Sequence, residues 1–174
     1  MKKTLIGFTI LVLILINISF KEDYYVIPDE SVRLRILASS NSVYDQFIKG
    51  KVKESLEEEF KETMKESTSI DKARKTIKDN ISKYEEKVKT TLDEYNYDKG
   101  FTIKYGNNYF PEKEYKGVIY EEGEYESLLI TLGEGKGDNW WCVLYPPICT
   151  LEVEESNEVE YKFFIKEIFE KYLK

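Results

Sequence analysis

The chain has 174 residues, enough for one domain with a substantial core, and 41% of them are hydrophobic against 34% charged. Its net charge is -7, so it lacks the basic face that binding a phosphate backbone requires, and nucleic acid is not an expected partner. It contains no histidine, which removes the commonest general acid/base, the usual catalytic triads and any histidine-based metal site.

In chain order, the first element is MKKTLIGFTILVLILINISFKED. Two lysines precede an apolar run from Leu5 to Phe20, and charge follows. That is the pattern of an export signal. The run is short for a spanning helix, which needs about 20 residues, and no small-x-small cleavage site follows it. Residues 1–20 are therefore expected to be a signal peptide or an uncleaved signal anchor, with Lys2 and Lys3 holding the start inside. A membrane contact through this segment follows if it stays attached. Export would place the two cysteines in a compartment that permits disulfides. Residues 21–30, with Pro28, read as a linker, and residues 31–174 as a single α+β domain.

VRLRILAS alternates, with Val32, Leu34 and Ile36 on one face and Arg33 and Arg35 on the other. It reads as a half-buried strand. Ser42 and Asp45 form a capping-box pattern at the start of a helix that runs to about Lys65. Tyr44, Ile48, Val52, Leu56 and Phe60 recur every four residues, as a buried stripe would. Gly50 inside that helix costs about 1 kcal/mol against alanine, which suggests close packing there. A second helix is expected from a cap at Thr68 or Ser69 to about Tyr95. Its apolar residues, Ile70 to Tyr95, are spaced by threes and fours, as in a helix packed lengthwise on another. The two helices make an antiparallel hairpin.

From Gly100 the pattern changes to strands. FTIKYGNNYF is expected to turn at Gly106–Asn108, and YKGVIY and ESLLITLGE are further strands. GEGKGD is a strand-connecting turn: its spacing matches no phosphate loop and no helix follows it. WWCVLY is apolar on both faces, as in a strand in the middle of a covered sheet. EVEYKFFIKEIFEKYLK closes the chain as an amphipathic helix. The order gives an α+β fold: a largely antiparallel sheet with a helical hairpin and a C-terminal helix packed on one face.

GDNWWCVLYPPICT holds both tryptophans and both cysteines of the chain. Six residues separate Cys142 from Cys149, which is not C-x-x-C redox spacing, and two cysteines without histidine make a poor zinc site. A disulfide across a reversal at Pro146–Pro147 is the expected state, and two separate buried thiols are the alternative. Trp140 and Trp141 point to opposite faces of a strand. One is expected in the core; the other is either core or an exposed anchor. Arg33 and Arg35 are either a solvated or ion-paired face or a recognition patch. The acidic runs Glu57–Glu59, Glu121–Glu122 and Glu154–Glu155 read as solvated helix faces and turns. No metal site, cofactor or catalytic constellation is expected, so the chain is read as a non-enzyme.

Two segments, VRLRILASSNSVYDQFIKGKVK (32–53) and GEGKGDNWWCVLYPPIC (133–149), closely resemble the signature regions of the stage II sporulation protein R family. Ser39 stands where that family usually has asparagine, and Tyr145 and Thr150 where it usually has phenylalanine. The resemblance implies an exported signalling protein, made in the forespore and sent into the space between the forespore and mother-cell membranes. It implies one partner, a membrane-embedded aspartic protease that processes pro-sigma-E, and an activating role for the chain itself. Candidate contacts are those signature residues that prove exposed: Arg33, Arg35, Asn41, Asp45, Gln46 and one of Trp140 and Trp141. The rival reading is an exported cell-wall hydrolase or wall-binding module.

Overall fold

The computed structural model describes residues 25–27, 30–115, 118–150 and 158–173. The expected signal segment, most of the linker including Pro28, and the Glu154–Glu155 pair lie outside them. Among the described residues, no helix is long and apolar enough to cross a membrane.

The elements in order are β1 (Tyr25–Val26), β2 (Val32–Leu37), α1 (Val43–Thr63), α2 (Ile70–Asp79), α3 (Ile81–Glu94), β3 (Phe101–Phe110), β4 (Lys113–Tyr115), β5 (Val118–Tyr120), β6 (Gly123–Leu132), β7 (Asn139–Tyr145), a 3₁₀ turn (Ile148–Thr150) and α4 (Glu158–Tyr172). The main sheet has the order β3-β6-β2-β7. Two of its pairings are antiparallel, and β2 with β6 is parallel. A small sheet has the order β1-β5-β4. The fold is α+β with a mostly antiparallel sheet, as the element order implies.

Alternation along β2 sends Val32, Leu34 and Ile36 into the main core, where they meet Leu128, Ile130 and Leu132 of β6. Ile48, Val52, Leu56 and Phe60 of α1 and Tyr84, Val88 and Leu92 of α3 cover that face. Phe60 and Tyr84 meet edge to face at 4.9 Å between centroids. The other face carries a second cluster, in which Val143 of β7 meets Val118, Tyr120, Ile165, Ile168 and Phe169. The single helical face expected from the sequence thus holds for α1 to α3, whereas α4 joins the second cluster.

The expected second helix is two. Asn80 lies between α2 and α3, and its side-chain amide donates to the Thr76 carbonyl at 2.8 Å. An asparagine that binds back to the preceding turn competes with the helical ladder, and the rod breaks there. Ser69 caps α2, accepting from Lys72 N at 3.3 Å. FTIKYGNNYF does not turn at Gly106. It is one strand, in register with β6 from Phe101↔Leu132 to Phe110↔Gly123. Gly106, at φ 152, supplies backbone freedom that other residues lack.

Two further expectations are corrected. WWCVLY is covered on both faces, but β7 is at the end of the sheet and β2 is central. A side-chain pattern reports the faces of a strand, not its hydrogen-bonded neighbours. Gly50 is not a close-packing glycine, since a Cβ built there meets nothing within 4 Å.

Candidate functional site

The two signature segments meet at one end of the sheet. The turn between β6 and β7 lies against the loop between β2 and α1, and backbone bonds join them. Gly137 N donates to Ala38 O at 2.9 Å, and Lys136 N to Ser39 O at 3.1 Å. Glycine is required at 137 because a Cβ there would lie 2.3 Å from the Ser40 carbonyl oxygen. Gly133 and Gly135 hold positive φ values of 53° and 64°, which turn the chain into this crossing. Ser39, the departure from the usual asparagine, is buried and accepts from Glu134 N at 3.4 Å.

Side chains complete the junction. Asn41 Oδ1 accepts from Asp138 N at 2.6 Å and from Gln46 Nε2 at 3.2 Å. Asn41 Nδ2 donates to Asp138 Oδ1 at 3.3 Å, and Gln46 Nε2 also donates to Ser40 O at 3.0 Å. Lys49 Nζ donates to Gln46 Oε1 at 2.6 Å and to Asp138 O at 3.1 Å. Burial holds the Lys49 ammonium below the usual lysine range, against the opposing pull of Asp138.

Asp45 is fully buried beneath the loop. Only half of the expected capping box forms: Ser42 Oγ accepts from Asp45 N at 3.1 Å. The Ser42 backbone amide, which the second half of the box would satisfy, donates to Ser40 Oγ at 3.2 Å and not to the Asp45 carboxylate. That carboxylate accepts from Ser40 Oγ, from Tyr97 Oη at 3.0 Å and from Lys99 Nζ at 2.9 Å on both oxygens. Burial alone would raise its pKa, but hydrogen bonds from Ser40, Lys99, Tyr97 and Ser42 outweigh burial and hold it at about 2. The same environment pushes Tyr97 up to about 12, through burial first and then its bond to Asp45.

Above this anchor, the first turns of α1 expose apolar side chains. Val43 is 89% exposed, Tyr44 48% and Phe47 45%, and Tyr109 is the other large exposed hydrophobic among the described residues. Tyr44 Oη donates to Tyr95 O at 2.6 Å, and Phe47 meets the Tyr95 ring edge to face at 5.4 Å. These contacts fix the rings in place while leaving their outer faces in solvent. Sequence reasoning placed Tyr44 in the buried stripe and passed over Val43 and Phe47. The signal was present in the i, i+4 spacing of Val43 and Phe47, off the Ile48–Val52 stripe.

The remaining candidates are wholly or partly enclosed by the fold, apart from Asn41. Arg33 is buried, with its guanidinium 3.3 Å from the centroid of the Tyr125 ring, and is not a solvated face. Arg35 is half-buried, and its Nη1 donates to Tyr109 O at 2.8 Å. Trp141 is half-buried and meets Phe110 edge to face at 5.3 Å, with Lys113 Nζ 5.2 Å from its ring. Trp140 packs against the main core, with Lys53 Nζ 5.2 Å from its ring. Asn41 is exposed and Gln46 half-buried. Cys142 and Cys149 form a disulfide with Cα atoms 5.6 Å apart. Glu59 pairs with Lys83 at 2.6 Å. Among the described residues, no group of three or more histidine, cysteine, aspartate or glutamate side chains could hold a metal ion.

Residues 28–155 match the family model described as Stage II sporulation protein R. The protein named stage II sporulation protein R of Bacillus subtilis (strain 168) is 38% identical over 135 residues, which is 78% of this chain. The chain spans 60% of the length of that relative. No solved structure matches. With most of its length matched, including both signature segments, the chain belongs to the stage II sporulation protein R family.

Proposed function

We propose that the chain is an exported sporulation signal. It binds and activates a membrane-embedded aspartic protease, and that protease then cleaves pro-sigma-E in the mother cell. Family membership supports the sporulation role. One observation carries the contact surface: the two signature segments are tied together, and the helix start they support presents Val43, Tyr44 and Phe47 to solvent. Solvent-facing aromatic and aliphatic anchors on a rigid base are what a protein interface uses for most of its energy. Activation then requires that this surface bind the protease's active arrangement more tightly than its resting one.

The test is a double substitution, Val43→Ser with Phe47→Ser, in cells carrying the protease and its pro-factor. The chain is expected to fold and accumulate outside the forespore membrane as before. Processing of pro-sigma-E is expected to fall on the order of tenfold or more. Processing at the unsubstituted level would remove the patch as the contact surface. Peptidoglycan cleavage by the purified chain would replace the signalling role with the hydrolase reading.

A further inference from the structure

The Cys142–Cys149 bond stands where the two hydrophobic clusters meet. Cys142 packs against both of them, and Cys149 is buried in the main one. Ile148, next to Cys149 in the 3₁₀ turn, belongs to the second cluster, together with Ile165, Ile168 and Phe169 of α4. Adjacent side chains of one turn thus enter different cores. Tyr145, at the end of β7, receives the last turn of α4. Its hydroxyl donates to Tyr172 O at 3.0 Å, and the two rings meet edge to face at 5.9 Å. The loop that the bond closes therefore supplies Val143, Tyr145 and Ile148 to the seat of α4. That helix has 15 residues, and an isolated helix of such length is marginal in water. Its amides are protected while it is docked and exposed when it is not.

We propose that this bond is a redox lock on α4, closed by an extracytoplasmic thiol–disulfide oxidoreductase after the chain leaves the reducing interior of the cell that makes it. Cys142 is half-buried and Cys149 buried, so Cys142 reacts first. Its thiolate attacks the oxidoreductase's disulfide, forms a mixed disulfide and expels one thiolate of that enzyme. The Cys149 thiolate then attacks Cys142 Sγ, closes the bond and expels the enzyme's second thiol. The chain loses two protons and two electrons, and the oxidoreductase leaves as a dithiol. No third cysteine is present to mispair, so the chain has two states, open and locked. In the open state the turn is free to leave both clusters, and α4 loses the floor that Ile148 gives it. The lock rests on the export reading, which supplies the change of compartment. It does not depend on the patch residues or on the identity of the protease.

The test follows amide hydrogen exchange in the full purified chain held in zwitterionic nanodiscs, oxidised with glutathione disulfide or reduced with a phosphine. This readout is independent of export. On reduction, the amides of Ile168 and Phe169 should exchange on the order of 100-fold faster than in the oxidised chain. Those of Val52 and Leu56 in α1 and of Leu128 and Ile130 in β6 should stay on the order of 100-fold slower than the α4 amides in the same reduced sample. Cys142→Ser with Cys149→Ser should give the reduced pattern in both buffers. The lock is overturned if α4 keeps its protection on reduction or in the double variant. It is equally overturned if the α1 and β6 amides lose protection together with α4, since the bond would then hold the whole fold. In sporulating cells, alkylation of free thiols at lysis should find the exported chain oxidised, and an exported chain with both thiols free would overturn the lock as well.

Discussion

Replacing Gly137 by alanine tests whether the two signature segments are held by backbone contact. The new Cβ would stand 2.3 Å from Ser40 O, 2.5 Å from Ser40 C and 2.9 Å from Ser40 Cα. Carbon–oxygen contacts of this kind begin at about 3.3 Å, so the turn must retreat by about 1 Å. The obstacle is backbone, and no rotamer change relieves it. A retreat of that size takes the Gly137–Ala38 and Lys136–Ser39 hydrogen bonds, at 2.9 and 3.1 Å, beyond bonding distance. Each contributes about 1 kcal/mol net, and misplacing the Asn41–Asp138 pair adds to that. The expected loss is about 2–3 kcal/mol. At roughly 3 °C per kcal/mol, the melting temperature should fall by about 6–9 °C. Urea unfolding followed by tyrosine and tryptophan fluorescence measures the first, and a thermal melt the second. Amide exchange at residues 136 and 137 should accelerate in parallel. A Gly137→Ala chain as stable as its parent, with those amides still protected, would refute the close-crossing argument.

Gly50→Ala is the matched contrast: with open space around it, it should stabilise the chain by about 0.5–1 kcal/mol in the same urea assay. Asp45→Asn should cost stability at neutral pH. The Asp45 pKa is depressed in the folded chain, so its stabilisation is complete above the unfolded value of about 3.8 and disappears as pH falls toward 2. The gap between parent and variant in acid titrations should therefore close between about pH 4 and 2, and a pH-independent gap would contradict the ionised assignment. Cys142→Ser with Cys149→Ser opens an eight-residue loop, for which chain entropy predicts a loss of about 2.5 kcal/mol. Intact mass should rise by two hydrogens on reduction of the parent, and not of the variant. Phe60→Ala, in the fully buried contact with Tyr84, should cost about 3–5 kcal/mol by denaturation.

The sequence disclosed whatever depends on local periodicity. The four-residue spacing of Ile48, Val52, Leu56 and Phe60 marked the buried side of α1, and Ser42 and Ser69 marked two helix starts. The alternation through Trp140–Tyr145 showed that both faces of β7 are covered. It could not show that β7 lies at the end of the sheet, because strand order depends on contacts between distant segments. Arg33 misled for the same reason. Its charge suggested solvent, yet the Phe110 and Tyr125 rings that enclose it arrive from β3 and β6. Asp45 was legible as a cap residue but not as a buried anion, since Tyr97 and Lys99 follow it by more than 50 residues. Asn80 broke the second helix although apolar spacing continued through it. The exposed apolar patch was missed because a tyrosine at position 44 fits the buried stripe by spacing alone.

The central position of β2 also governs the order in which the molecule can assemble. Both of its neighbours, β6 and β7, come from residues 123–145, while β2 itself is residues 32–37. Any process that delivers the chain from its N-terminus, whether synthesis or passage through a membrane, releases β2 long before either neighbour exists. The helices α1 to α3 can form meanwhile from local contacts, but their apolar faces have no sheet to cover. Closure must wait for β7, and the Cys142–Cys149 bond can fix only a reversal made after that. Such long-range pairing makes folding slow, and slow closure keeps a chain in a state that can still be threaded. A circular permutant that places β2 next to β7 should therefore fold faster than the natural order.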